Sequence, residues 1–155
     1  MNIVIIGGVA SGAKAAAKVK RLLPHASVKM FTDDTHVSYS SCGLPYFIQG
    51  NFSDYTSLLV RSPEEFKTSG IDVFLQSKVE KIFPEQKNVL VRNSESVELV
   101  PYDKLIIATG ASPVRPKIKG IDDFENIFTV RKIEDGINIR EKMLKSKNAV
   151  IIGGG

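Results

Sequence analysis

One thiol stands in this 155-residue sequence, Cys42, within Ser38-Tyr39-Ser40-Ser41-Cys42-Gly43-Leu44-Pro45-Tyr46. Small hydroxyl residues precede it and a short helix can begin just after it. A thiol at a helix start is where a thiolate is stabilised and turns nucleophilic. Spacing alone leaves a buried, inert cysteine equally open. The second constellation is Gly7-Gly8-Val9-Ala10-Ser11-Gly12. In a dinucleotide fingerprint the first glycine makes a tight turn, the second lets backbone approach a pyrophosphate, and the third lets helix and strand pack closely. Gly7 and Gly12 fill the first and third places, and Val9 stands at the second. A glycine-rich turn without a ligand is the alternative. The acid that meets an adenosine ribose belongs about 20 residues beyond the glycines. Here the segment reads Phe31-Thr32-Asp33-Asp34, so Thr32, Asp33 or backbone alone would make that contact, and a solvated turn is the plain alternative. His25 and His36 have no neighbours at ligand spacing and read as surface residues, so no metal is expected.

The elements around these residues follow from periodicity. Residues 2–6 are an unbroken β-branched run, the pattern of a strand covered on both faces of a parallel sheet. From Ser11 to Leu23 small residues recur at helical spacing, with Ala13, Ala16 and Ala17 able to lie close on a sheet before Pro24 stops the helix. Residues 27–31 give a second strand, which completes a β-α-β unit. Ser62-Pro63-Glu64-Glu65 is a capping box with proline at the first helical position, predicting a short helix over 63–69 with Gly70 at its end. The stretches 71–76, 79–83, 88–92 and 97–100 read as strands of a small inserted antiparallel or mixed layer. Residues 104–108 return to a parallel core strand, followed by Thr109-Gly110-Ala111-Ser112-Pro113. A connector with some strand character spans 117–133, and an amphipathic helix spans 134–146, with Glu134 and Asp135 at its positive end. Residues 150–154 repeat the Val-Ile-Ile-Gly-Gly of residues 4–8. The expected fold class is α/β, a doubly wound Rossmann-like domain with an inserted antiparallel β layer.

Composition bounds the rest. The sequence carries 21 Lys+Arg against 17 Asp+Glu for a net charge of +4, is 43% hydrophobic and 25% charged, and has a mean hydropathy of −0.02. These are ordinary values for a globular domain of a size that buries roughly 70% of its unfolded surface. No apolar run approaches the ~18 residues that span a bilayer, and no signal peptide is legible, so a cytoplasmic protein with no membrane partner is expected. The basic excess is mild and not interleaved with aromatics, which argues against a nucleic-acid partner.

Four segments in order carry a resemblance: the Gly7 to Gly12 turn, Ser38-x-x-x-Cys42-Gly43-Leu44-Pro45-Tyr46, Ala108-Thr109-Gly110-Ala111-Ser112-Pro113, and Ile151-Ile152-Gly153-Gly154-Gly155. Together they span essentially the whole chain, which resembles the N-terminal third of the single-cysteine flavoprotein disulfide reductases. That family includes coenzyme A disulfide reductase, NADH oxidase, NADH peroxidase and persulfide or polysulfide reductases. The resemblance implies FAD at the first glycine turn through Gly7, Gly8, Val9, Ala10 and Gly12. It adds Thr32 or Asp33 at the adenosine ribose, Val79 by its backbone at the adenine, Ala108, Thr109 and Gly110 closing over the flavin, and Arg131 in a linker near it. Cys42 would be the redox nucleophile, with hydride passing from NAD(P)H to FAD and then to sulfur, and a mixed disulfide or sulfenic acid as the oxidised state.

Ala10 stands where the peroxidases and oxidases carry a histidine, which favours thiol substrates. Lys14, Lys18 and Arg21 lie at i, i+4 and i+7 on one helix face, as phosphate recognition of coenzyme A requires, a solvated basic face being the alternative. Arg21 and Ser38 fall on coenzyme-contact positions, while Lys14, Lys18 and Ser41 occupy such positions with different side chains. The expected organisation is residues 1–115 as the first segment of an FAD-binding domain, 116–147 as linker and helix, and 148–155 as the start of a truncated nicotinamide domain. The full-length protein is expected to be a homodimer, and the chain alone to turn over little. A water-forming NADH oxidase and a non-redox dinucleotide-binding module are the alternative functions.

Overall fold

The structure is a computed structural model, and it describes residues 1–153. The chain divides into two compact units: Met1–Ser40 with Leu59–Ala111, and Ser41–Leu58 with the chain from Ser112 onward.

In the first unit the unbroken apolar run becomes β1 (Asn2–Ile6). It is followed by α1 (Ala10–Leu22) and β2 (Ser27–Phe31), and β1 and β2 pair in parallel. Side chains alternate across a strand, so Ile3 and Ile5 join Ala13 and Ala16 of the helix in one cluster, while Val4 and Ile6 enter another. The second face is covered by β4 (Lys78–Phe83), β5 (Asn88–Arg92) and β6 (Val97–Pro101), whose Val89, Val91 and Val100 pack with Val4, Ile6 and Phe31. Both faces of β1 are thus dry, which is why its sequence shows no polar alternation.

The inserted layer differs from expectation in one strand. The chain runs from Phe31 through α3 (Pro63–Thr68) to β3 (Ile71–Phe74), and β3 pairs in parallel with β2 instead of entering the small layer. A crossover through a helix delivers a strand beside its predecessor in parallel. Burial then fixes it there: Ile71 is fully buried, and the Phe74 ring stacks on Phe31 with centroids 4.7 Å apart. With β7 (Lys104–Ile107) on the far side of β1, the parallel sheet reads β3-β2-β1-β7, and the antiparallel sheet is β4-β5-β6.

The second unit holds α2 (Leu44–Gln49) and α4 (Ile133–Met143). The α4 head is capped by the Asp135 carboxylate, which accepts from the Arg131 and Lys132 amides, both at 2.8 Å. Residues 117–132 form no strand. Val114, Ile118 and Phe124 stay exposed, and a strand needs both a ladder partner and a buried face. Residues 149–152 echo β1 in sequence but form no strand: Val150, Ile151 and Ile152 are exposed with no ladder partner among the described residues. Gly154 and Gly155, the last of the second glycine run, lie outside the described residues.

Candidate functional site

The glycine turn owes its course to contacts that admit no side chain. Gly7 leaves β1 at φ +104°, and its N–H donates to the Phe31 carbonyl at 2.8 Å. A Cβ there would strike the Ala108 carbonyl oxygen after β7. A Cβ on Gly12 would strike the Gly7 carbonyl, so the first turn of α1 lies directly on the turn that launches it. Gly8 is backed by Val37 and Thr32, with a Cβ meeting their side chains at 3.1 and 3.2 Å. Val9 has a negative φ, −84°, so that place in the turn does not call for the left-handed backbone that favours glycine.

The head of α1 is bare. Val9 supplies no side-chain cap and the first turn has no acidic residue. By contrast α3 is closed by a Ser62–Glu65 capping box, and α4 by Asp135. The unmet N–H groups and the positive dipole end of a 13-residue helix are what an anionic diphosphate would satisfy.

The other expected cofactor residues of this unit fall around the turn. Thr32 is buried, its Oγ1 accepts the Asp34 amide at 3.3 Å, and its side chain faces Gly8. Asp33 is exposed. Ala108 donates its amide to the Ile6 carbonyl at 2.7 Å, and Gly110 turns at φ +68°. Thus Gly7, Gly8, Gly12, Thr32 and Ala108 meet at the carboxyl ends of β1, β2 and β7, where the strand order reverses: β2 and β3 lie to one side of β1 and β7 returns on the other. That is the switch point at which open α/β sheets bind ligands. Val79 lies in β4, where the pairing with β5 slips between Val79 and Lys81. A bulge of that kind leaves backbone groups out of the ladder.

Ser38 is tied to the same turn: its N–H donates to the Gly8 carbonyl and its carbonyl accepts from Val60, both at 2.8 Å. Its φ of +51° is unusual for serine, a constraint that sequence pattern did not reveal. The next residue, Tyr39, is buried; it forms an antiparallel bridge with Leu59, and its hydroxyl donates to Asp34 Oδ2 at 3.5 Å. Lys14, Lys18 and Arg21 are all exposed on α1. A fourth base, Lys20, turns away to donate to the Pro24 and Ala26 carbonyls at 2.7 and 2.9 Å and ties down the helix end. A shallow cleft of about 230 Å³ lined by His36, Val37, Val60, Arg61, Ser62 and Leu75 contains none of the expected site residues.

In the second unit Ser41 and Cys42 are exposed in a 3₁₀ turn, Ser41–Gly43, that runs directly into α2. Pro45 lies in the first turn of α2, and Gly50 closes it in the left-handed region at φ +94°. Further on, Thr56 donates both its amide and its hydroxyl to Asp54, and these bonds hold the Asp54 carboxyl below the usual carboxylate range. The Arg131 guanidinium donates to Ser112 Oγ at 2.7 Å.

A parallel sheet with a glycine cradle at its switch point and an uncapped helix behind it defines a dinucleotide-binding α/β protein of the doubly wound class. The family model of the pyridine nucleotide-disulphide oxidoreductases matches residues 1–155, and the chain belongs to that family. It is 41% identical over 157 residues to the NAD(P)H coenzyme A polysulfide/persulfide reductase of Pyrococcus horikoshii, covering 99% of this chain and 34% of that one. It is 32% identical to the NADH oxidase of Enterococcus faecalis, covering all of this chain and 35% of the relative. Among solved structures, the NAD-dependent persulfide reductase of A. fulgidus superposes with a TM-score of 0.89 at 35% identity, covering 94% of this chain and 27% of that one. The chain therefore spans about a third of the length of the curated relatives it matches.

Proposed function

We propose that this chain is the FAD-binding and thiol-bearing part of an NAD(P)H-dependent reductase of coenzyme A disulfide or of a related persulfide or polysulfide. The observation that carries the reading is the cradle formed by Gly7, Gly12 and the uncapped head of α1, in a chain of this family whose one cysteine is solvent-exposed. Gly7, Gly8, Val9, Ala10 and Gly12 take the FAD diphosphate. Thr32 and Asp33 take the ribose, Val79 the adenine, and Ala108, Thr109, Gly110 and Arg131 serve the flavin end. Bound FAD supplies a two-electron carrier between the nicotinamide and sulfur. Residues 1–115 form the first segment of its domain, 116–147 a linker and helix, and 148–155 the start of a nicotinamide domain.

Cys42 is the nucleophile in this reading. Its sulfur attacks one sulfur of the substrate, forming a mixed disulfide and releasing the other half as a thiolate, or as a shorter sulfide chain from a polysulfide. Two electrons from NAD(P)H then break the mixed disulfide, the second thiol leaves with a proton, and the Cys42 thiolate is restored. Lys14, Lys18 and Arg21 hold the phosphates of a coenzyme A substrate, with Ser38 and Ser41 along its length. Ala10 favours this over the oxidase reading, because the glycine turn then offers no imidazole to support sulfenic acid chemistry. The setting is the cytoplasm and the working form a homodimer.

Binding of FAD tests the cradle. Gly12→Ala forces a methyl group onto the Gly7 carbonyl, and overpacking of this kind costs about 1–3 kcal/mol. The expected result is a folded variant of lowered thermal midpoint that no longer retains FAD, beside a Cys42→Ser variant that retains it fully. Equal FAD retention by Gly12→Ala and the parent would overturn the assignment.

A further inference from the structure

Cys42 stands at the head of a six-residue helix, which is too short to hold its own conformation in water. Its stability comes from α4. Leu44 and Phe47 of α2 are buried, and so is Ile133 of α4. Gly136 lets the two helices close, since a Cβ there would meet Leu44 Cδ2 at 3.1 Å and Phe47 Cδ1 at 3.4 Å. Arg140, one turn further along α4, does more than pack. One guanidinium nitrogen donates to the Phe47 carbonyl at 3.1 Å and also to the Phe52 carbonyl, and the guanidinium lies over the Phe47 ring, 4.8 Å from its centroid. The Phe47 carbonyl also accepts the Gly50 amide at 3.1 Å, so Arg140 closes the end of α2 where helical carbonyls run out of partners. The Phe47 and Phe52 rings meet at 5.8 Å, extending the anchor beyond the turn.

We infer that Arg140 is a positioning residue for the Cys42 turn: a cation about a hundred positions away in sequence fixes the helix that follows the thiol. The inference rests on the reading of Cys42 as the redox nucleophile and deepens it. Losing Arg140 removes two carbonyl partners and the ring contact together, so α2 frays and the 3₁₀ turn at Ser41–Gly43 loses the helix it leads into. Lysine keeps the charge but lacks the planar face and the fork of donors, and restores the anchor only in part.

The test uses the 155-residue chain in three forms, parent, Arg140→Lys and Arg140→Ala, with a peptide of residues 38–46 as the unstructured reference. Two quantities are read: amide hydrogen exchange, and the rate of Cys42 alkylation by iodoacetamide across pH. In Arg140→Ala the Gly50 and Asn51 amides, which donate to Phe47 and Tyr46, should exchange about tenfold faster or more, with β1 and β2 amides unchanged. The alkylation profile should move at least halfway toward that of the peptide, with Arg140→Lys between. Unchanged alkylation in an Arg140→Ala chain whose α2 amides have lost protection would overturn the inference and leave Arg140 a structural staple. Unchanged exchange and alkylation together would deny the anchor altogether. If the parent already alkylates as the peptide does, the nucleophile reading of Cys42 fails and takes the positioning role with it, while the exchange data still report whether Arg140 holds α2.

Discussion

Ser38 is held at φ +51° by the Gly8 carbonyl on one side and the Val60 amide on the other. A left-handed conformation at a residue with a Cβ costs on the order of 1 kcal/mol, which the flanking bonds must offset. Ser38→Gly is therefore expected to leave the urea midpoint unchanged or slightly raised. Ser38→Val, whose β-branch is least tolerant of this region, should lower stability by about 1–3 kcal/mol. Equal midpoints for the two variants would show that the turn does not impose the angle. The dihedral was not legible in the sequence because the bonds that impose it come from residues far along the chain. Gly7 and Gly12 were legible, since their roles depend on a strand, a turn and a helix that are contiguous. Val9 departs from the fingerprint at a place whose negative φ, −84°, does not need glycine's left-handed freedom.

Periodicity located nearly every helix and strand and misjudged one partnership. An apolar run such as Ile71–Phe74 reads alike in a parallel core strand and in an inserted layer, and the α3 crossover decided between them. Connector residues 117–132 have strand-forming side chains but no ladder partner, so propensity there had nothing to act on. Arg140 was invisible for the same kind of reason, its acceptors lying 93 and 88 residues away.

The small sheet carries its own electrostatic signature. Arg92 on β5 donates to Glu80 on β4 at 2.8 Å, and this bond holds the Glu80 carboxyl below its usual range while raising the Arg92 guanidinium. A lowered carboxyl contributes stability that is present above its unfolded value and is lost as pH falls through its folded one. Glu80→Gln should therefore flatten the acid limb of the stability curve below about pH 4.3 and change little at neutral pH, because the pair is exposed. An unchanged acid limb in urea melts of Glu80→Gln would refute the pair's contribution.

Across the chain, the features that sequence could assign are those in which neighbours in sequence are also neighbours in space. The β-α-β opening and the capping box of α3 are of this kind, and both stand in the structure. The echo of β1 at residues 150–153 kept the composition of a strand without becoming one, since composition supplies no pairing partner. Family membership extends over residues 1–155, while the relatives run to about three times that length. The chemistry proposed for Cys42 is therefore best measured in the complete protein that carries this chain. The decisive experiment is anaerobic NAD(P)H oxidation with coenzyme A disulfide or polysulfide as acceptor, repeated with oxygen alone, for the parent and for Cys42→Ser with its flavin content matched. The nucleophile role of Cys42 predicts rapid disulfide- or polysulfide-dependent oxidation that falls by about a thousandfold or more in Cys42→Ser, as expected when a covalent nucleophile is removed. Undiminished turnover in Cys42→Ser, or turnover supported by oxygen and not by either sulfur substrate, would contradict it.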